Sequence, residues 1–112
     1  MTQELAQKTC VPCSGGVPAL DVVTATQLLR QVPAWRIAEA EPARLARRFV
    51  FPDFVAAMAF VNRVADLAEA EGHHPDLTIR YNQVDVEVWT HAIQGLTESD
   101  FILAAKIDTL PV

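Results

Sequence analysis

The sequence predicts an α+β domain: helix, strand, strand, helix, strand, strand, helix, with a four-stranded antiparallel sheet and helices packed on one face. Three observations carry that expectation. The chain has 112 residues, 51 % of them apolar, which suits one globular domain and is too little polymer for two. Two pairs of short segments alternate apolar and polar residues, as half-buried strands do. Between and around them lie stretches with three-and-four apolar spacing, each opened by a helix-capping residue.

Met1 to Ala19 collects Gly, Pro, Ser and Thr without sustained periodicity and reads as a flexible leader, with the domain proper spanning 20–112. Asp21 or Thr24 caps a first short helix running to about Gln31. Thr24 with Gln27 has the capping-box pattern, while Asp21 is the better start if Val22 and Val23 are helical. Leu28 and Leu29 supply its buried side, and Pro33 ends it. Trp35 to Glu39 alternates large apolar with polar residues as a first strand. Pro42 marks a turn, and Ala43 to Phe51 returns as the second strand.

The longest helix starts at Pro52-Asp53, because the Asp53 carboxylate accepts from the unpaired N–H groups of a first turn. Phe54, Ala57, Met58, Val61, Val64, Ala65 and Ala68 form its buried stripe, with Asn62, Arg63, Asp66 and Glu69 opposite. It ends near Glu71, where Gly72 is free to turn left-handed. After Pro75, Leu77, Ile79 and Tyr81 share one face, Asn82-Gln83 forms a two-residue turn, and Val84, Val86 and Val88 resume the alternation as a hairpin. Thr97 to Asp100 matches a capping box that opens the last helix, Phe101 to about Thr109. That helix has almost no polar face, more than a monomer of this size needs to bury, and so implies a subunit contact.

Net charge is -5 and the basic residues are scattered apart from Arg44, Arg47 and Arg48, which argues against direct nucleic-acid binding. No apolar run approaches the ~20 residues that span a bilayer, and Glu4 and Lys8 interrupt what would be a signal peptide. The expectation is a soluble, cytoplasmic protein without a membrane partner. Cys10 and Cys13 form a Cys-x-x-Cys followed by Ser14, Gly15, Gly16 and Pro18, which favours a loop over the helix that a redox pair opens. An ordinary reduced pair, a zinc site completed by further ligands, and a redox role all stay open.

All three histidines fall around the predicted hairpin. His73 and His74 precede its first strand and His91 follows its second, so antiparallel pairing places them at one sheet edge. Pro75 holds His74 extended, which sends His73 and His74 to different sides of a small cleft. His91 shares a face with Trp89, Glu87 and Asp85, away from the helix-covered core. Imidazoles both give and take protons near neutral pH, so several in one cleft suit an elimination or isomerisation. Acyl transfer is not indicated, and no Gly-rich phosphate loop is present. The plainer readings are loop polarity for His73 and His74, a solvated charge for Glu69, a helix cap for Asp100 and packing for Trp89 and Tyr81. A histidine metal site lacks a supporting spacing.

The series Glu69-x-x-x-His73-His74-Pro75, Tyr81-Asn82-x-Val84, Trp89-Thr90-His91 and Gly95-Leu96-Thr97-x-x-Asp100 resembles the signature of the pterin-4a-carbinolamine dehydratase family, and the similarity extends over about Leu20 to Ile107. The resemblance implies dehydration of 4a-hydroxytetrahydropterin to the quinonoid dihydropterin, in the recycling of the pterin used by an aromatic amino acid hydroxylase. It implies no metal or organic cofactor and association into homodimers or homotetramers. His73, His74 and His91 would be catalytic, with His73 and His91 as the acid/base pair. Glu69, Pro75, Trp89, Thr90 and Asp100 would bind substrate. Gly72, often polar in the family, and Leu77, often aromatic, depart from the pattern. Relatives of this fold also serve as dimerisation partners or assembly factors without catalysis, and the complete histidine set here favours the enzyme. A metal module using Cys10, Cys13 and the histidines would instead predict stoichiometric zinc.

Overall fold

The structure, a computed structural model, describes residues 5–10, 18–38 and 42–111. Its elements are a 3₁₀ turn at Leu5–Gln7, α1 Val22–Leu29, β1 Arg36–Ala38, β2 Arg44–Val50, α2 Phe54–Glu71, β3 Asp76–Arg80, β4 Gln83–Val88 and α3 Glu98–Ile107. The strands form one antiparallel sheet in the order β1-β2-β4-β3. Element order and class are those read from the sequence.

Local signals account for the helix ends. Asp21 accepts from the Thr24 N–H at 2.7 Å and Asp53 from the Ala56 N–H at 2.8 Å, each satisfying a donor that the first turn leaves unpaired. Gly72 closes α2 with φ 65°, a left-handed conformation that costs glycine nothing in Cβ contacts. α3 is capped by Thr97, whose N–H donates to the Asp100 carboxylate at 2.8 Å.

Register sorts the sheet into two faces. Leu45 pairs with Val88, Phe49 with Val84, and Leu77 with Val86, and these side chains meet Phe60, Val64, Phe101, Leu103 and Ile107 in the core. Arg47 also lies in this row, opposite Val86. It reaches the edge of the core, where its guanidinium pairs with Asp108. Asp108 also accepts from the Trp35 indole at 2.8 Å. The other face carries Arg36, Arg44, Arg48, Thr78, Arg80, Asp85 and Glu87, and among the described residues no helix covers it. There Arg48 and Arg80 share Asp85, and these bonds, led by that from Arg48, hold the Asp85 carboxyl below its usual range.

Two expectations need correction. The hairpin turn is Tyr81-Asn82, one residue earlier than Asn82-Gln83, because Arg80 pairs with Gln83. Tyr81 takes φ 50°, and Asn82 is held by its side chain, which donates to the Phe51 carbonyl at 2.9 Å. The all-round burial of α3 is satisfied inside this chain: Ser99 through Ala104 and Ile107 are buried within it. The apolar composition of α3 therefore gives no argument for a subunit contact.

Part of the cover comes from the leader. Leu5 and Cys10 are buried, at 2 % and 5 % exposure, in the same core cluster as Phe101 and Ile107. Cys13 lies outside the described residues. The leader joins the domain at Leu20, whose N–H donates to the Leu96 carbonyl at 2.8 Å. The chain passes so close here that a side chain on Gly95 would place its Cβ 2.8 Å from that of Ala19.

Candidate active site

The end of α2, the start of β3 and the end of β4 meet above the first turn of α3. Because Asp76 pairs with Glu87, residues 73–75 and 89–92 leave the hairpin at the same edge. A cleft of about 440 Å³ opens there, lined by residues 72–76 and 89–92, and His73, His74, Pro75, Trp89, Thr90 and His91 are all in its wall. Its size falls within the ~300–1,000 Å³ typical of small-molecule sites. The convergence expected of the three histidines is therefore present.

His73 is the most constrained of them. Its N–H donates to the Ala68 carbonyl at 3.2 Å in the left-handed close of α2, and its side chain is 13 % exposed. Nε2 of its ring lies 2.6 Å from Oδ1 of Asp100. Asp100 is fully buried, and its Oδ2 accepts from the Thr97 N–H at 2.8 Å and the Thr90 hydroxyl at 2.9 Å. Thr90 and Thr97 in turn share a hydroxyl contact of 3.0 Å. Both partners of Oδ2 donate, so an ionised Asp100 takes the Nε2 proton on Oδ1 as well, and the tautomer this selects for a neutral His73 ring carries its lone pair on Nδ1. Asp100 thus combines the cap expected of it with a bond to His73; it does not itself line the cleft and meets it through His73 and Thr90.

His74 and Glu69 are 3.4 Å apart at 61 % and 80 % side-chain exposure, a loose contact at the cleft mouth. Glu69 does not line the cleft. His91 stacks on Trp89 with ring centroids 3.9 Å apart and planes at 22°. The Trp89 indole N–H donates to Asp76 at 2.9 Å, and the Arg44 guanidinium lies 4.8 Å from the ring centroid. Arg44 is 3.9 Å from Glu87. The His91 ring is therefore held on a shelf whose supports, Asp76 and Arg44, the sequence reading missed. Arg44 adjoins Trp89 only because Leu45 pairs with Val88, a register not visible before the strands are paired.

The site thus offers an oriented imidazole acceptor, a second imidazole on an aromatic shelf, and a third at the rim. Among the described residues no group of three His, Cys, Asp or Glu side chains converges as cation ligands do. None of the described helices is long and apolar enough to cross a membrane.

Comparison with known proteins identifies relatives of this chain. The profile of the family described as pterin 4 alpha carbinolamine dehydratase matches residues 18–110, so Leu5 to Cys10 lie upstream of it. A protein of Halorhodospira halophila is 51 % identical over 106 residues, covering 95 % of this chain and 96 % of its own. One of Rubrobacter xylanophilus is 49 % identical over 107 residues, covering 96 % and 98 %. Both carry the name "Putative pterin-4-alpha-carbinolamine dehydratase". Among solved structures, the transcriptional coactivator/pterin dehydratase from Brucella melitensis superposes with TM-score 0.75 at 33 % identity, over 80 % of this chain and 95 % of that one. A pterin dehydratase-like protein identified as a RuBisCO assembly factor in the alpha-carboxysome superposes with TM-score 0.57 at 26 % identity, over 67 % and 86 %. With the family's profile running through both strand pairs, the cleft and all three histidines, this chain belongs to the pterin 4 alpha carbinolamine dehydratase family.

Proposed function

We propose that this chain is a 4a-hydroxytetrahydropterin dehydratase and that the cleft of His73, His74 and His91 is its catalytic site. The observation that carries the reading is the His73–Asp100 pair opening onto a cleft that holds two further imidazoles. Dehydration breaks the C4a–O bond and the N5–H bond of the carbinolamine and forms the C4a=N5 double bond of the quinonoid dihydropterin. The hydroxyl departs as water with a proton from an acid, and a base takes the N5 proton. His73, with its Nε2 proton committed to Asp100 and its Nδ1 lone pair available, is the base. His91, fixed on the Trp89 shelf, is the acid. His74 and Pro75 line the entrance and orient the ring, and Trp89 offers an aromatic edge to it. Glu69 acts through His74. All groups in this scheme belong to the chain, and no cofactor is invoked. An aromatic amino acid hydroxylase would supply the substrate, and the assembly would be a homodimer or homotetramer in the cytoplasm.

The test generates the 4a-carbinolamine with a hydroxylase and follows its decay by absorbance with wild type, His74→Ala and His91→Ala. Wild type accelerates the decay, and the variants lose a large part of the ~10²–10⁴-fold that acid/base catalysis contributes. Unchanged spontaneous decay with wild type would replace the enzyme by a non-catalytic dimerisation or assembly protein; one neighbour in fold is identified as a RuBisCO assembly factor.

A further inference from the structure

The dehydration scheme uses residues of the cleft, Glu69 at its mouth and Asp100 beneath it, yet the segment Leu5–Cys10 is bound to the two helix ends that carry His73 and Asp100. Leu5 is buried against the core. Lys8 Nζ lies 3.0 Å from Glu98, the first residue of α3. The Cys10 thiol donates to the Ser99 carbonyl at 3.5 Å, and the Cys10 N–H donates to Glu71 Oε1 at 3.0 Å. Glu71 is the last residue of α2, and its other oxygen lies 3.6 Å from Lys106 of α3. Every one of these polar bonds lands within two residues of His73 or Asp100.

We propose that Leu5–Cys10 is a positioning strap that sets the separation of the α2 and α3 ends and thereby the His73–Asp100 bond, with Glu71 as its anchor. Besides the strap, the two ends are joined by the His73–Asp100 bond itself, whereas the Glu71–Lys106 pair ties α2 to the last turn of α3. A charged hydrogen bond of 2.6 Å weakens with small displacements. The exposed Lys8–Glu98 pair contributes little, so the half-buried bond from Cys10 to Glu71 is the principal link. In keeping with this, that backbone N–H, aided by Lys106, holds the Glu71 carboxyl below its usual range. The Asp100 carboxylate bonds His73, Thr90 and Thr97, so Glu71 and the strap act through the placement of the helix ends and do not touch substrate.

The inference rests on His73 as the base, so its test carries one readout of catalysis and one of geometry. Glu71→Ala, Glu71→Gln and Leu5→Ala are made in the full chain. The carbinolamine assay is run below each variant's melting temperature, and the downfield imidazole N–H resonance of His73 is followed by NMR. Glu71→Ala and Leu5→Ala should lower kcat by about 10- to 100-fold, the scale of a misplaced catalytic group, with KM changed less than about twofold. Both should broaden or shift the resonance. Glu71→Gln, whose amide oxygen still accepts from Cys10, should recover most of the rate. If Glu71→Ala cannot be obtained folded, Leu5→Ala decides alone. Wild-type kcat and an unmoved resonance in folded variants, even at a lowered melting temperature, would overturn the strap. If wild type shows no dehydration at all, the proposed function fails, and the resonance still decides whether the strap holds the pair.

Discussion

Asp100→Asn separates the carboxylate's role as an orienter of His73 from its role as a helix cap. The wild-type carboxylate receives three donors: His73 Nε2 at 2.6 Å on one oxygen, the Thr97 N–H at 2.8 Å and the Thr90 hydroxyl at 2.9 Å on the other. An asparagine that keeps its oxygen toward Thr90 and Thr97 turns its NH₂ toward His73. Nε2 must then accept, and the ring proton moves to Nδ1. The opposite amide orientation sets NH₂ against the buried Thr97 N–H and costs about 1–3 kcal/mol, so the first prevails. In that state the cap survives and the base does not. The expected loss in kcat is the ~10²–10⁴-fold of general base catalysis, which at 1.36 kcal/mol per decade is about 2.7–5.5 kcal/mol of barrier. All three bonds to the carboxylate are charge-assisted and become neutral in the asparagine, which lowers stability by about 1 kcal/mol each, offset in part because no charge is then buried, and thermal unfolding measures the net. The assay is carbinolamine decay below the variant's melting temperature, with kcat and KM separated. A kcat within about threefold of wild type would show that the ring's tautomer does not matter and would refute the assignment of His73 as base.

Three further outcomes follow from two single groups. In Gly72→Ala the new Cβ would meet nothing within 4 Å, yet the backbone stays at φ 65°, so the substitution should cost about 1–2 kcal/mol through conformation alone, read from the urea midpoint; no loss of stability would refute this. Burial, and next the Glu71 charge, push the Cys10 thiol up to about 12 from an ordinary value near 9, so native protein at pH 8 should resist iodoacetamide at Cys10 and react there only after unfolding. The folded value being the higher one, the stabilisation is complete below about pH 9 and is lost as pH rises toward 12; equal alkaline loss of stability in wild type and Cys10→Ala would contradict this.

Local physics made most of the fold legible. Asp21, Asp53, Gly72 and Thr97 act through partners within four residues, and such bonds depend little on the rest of the chain. Alternation in 84–88 is equally local. The turn slipped by one residue because a tyrosine at φ 50° is a poor expectation from composition, and the choice is made by Asn82 reaching Phe51 on another strand. α3 misled for a related reason. Its apolar faces are covered in part by Leu5 and Cys10, two residues in a segment without periodicity, and two residues produce no periodic signal.

The site divides along the same line. Antiparallel pairing was enough to gather the histidines, since it follows from the hairpin alone. What made His73 more than a loop residue, the bond to Asp100, joins positions 27 residues apart and appears only when the C-terminus of α2 meets the N-terminus of α3. Each of these groups of the proposed scheme nevertheless sits at an element's end: His73 one residue past the α2 cap, Asp100 inside the α3 cap, His91 three residues past β4. End signals are the part of a fold that short sequence patterns encode best, so a motif built from them can be recognised before its chemistry can be derived. The chemistry depends on how the ends are held together, which is why a loss of rate without loss of the motif is the outcome to seek in the strap variants.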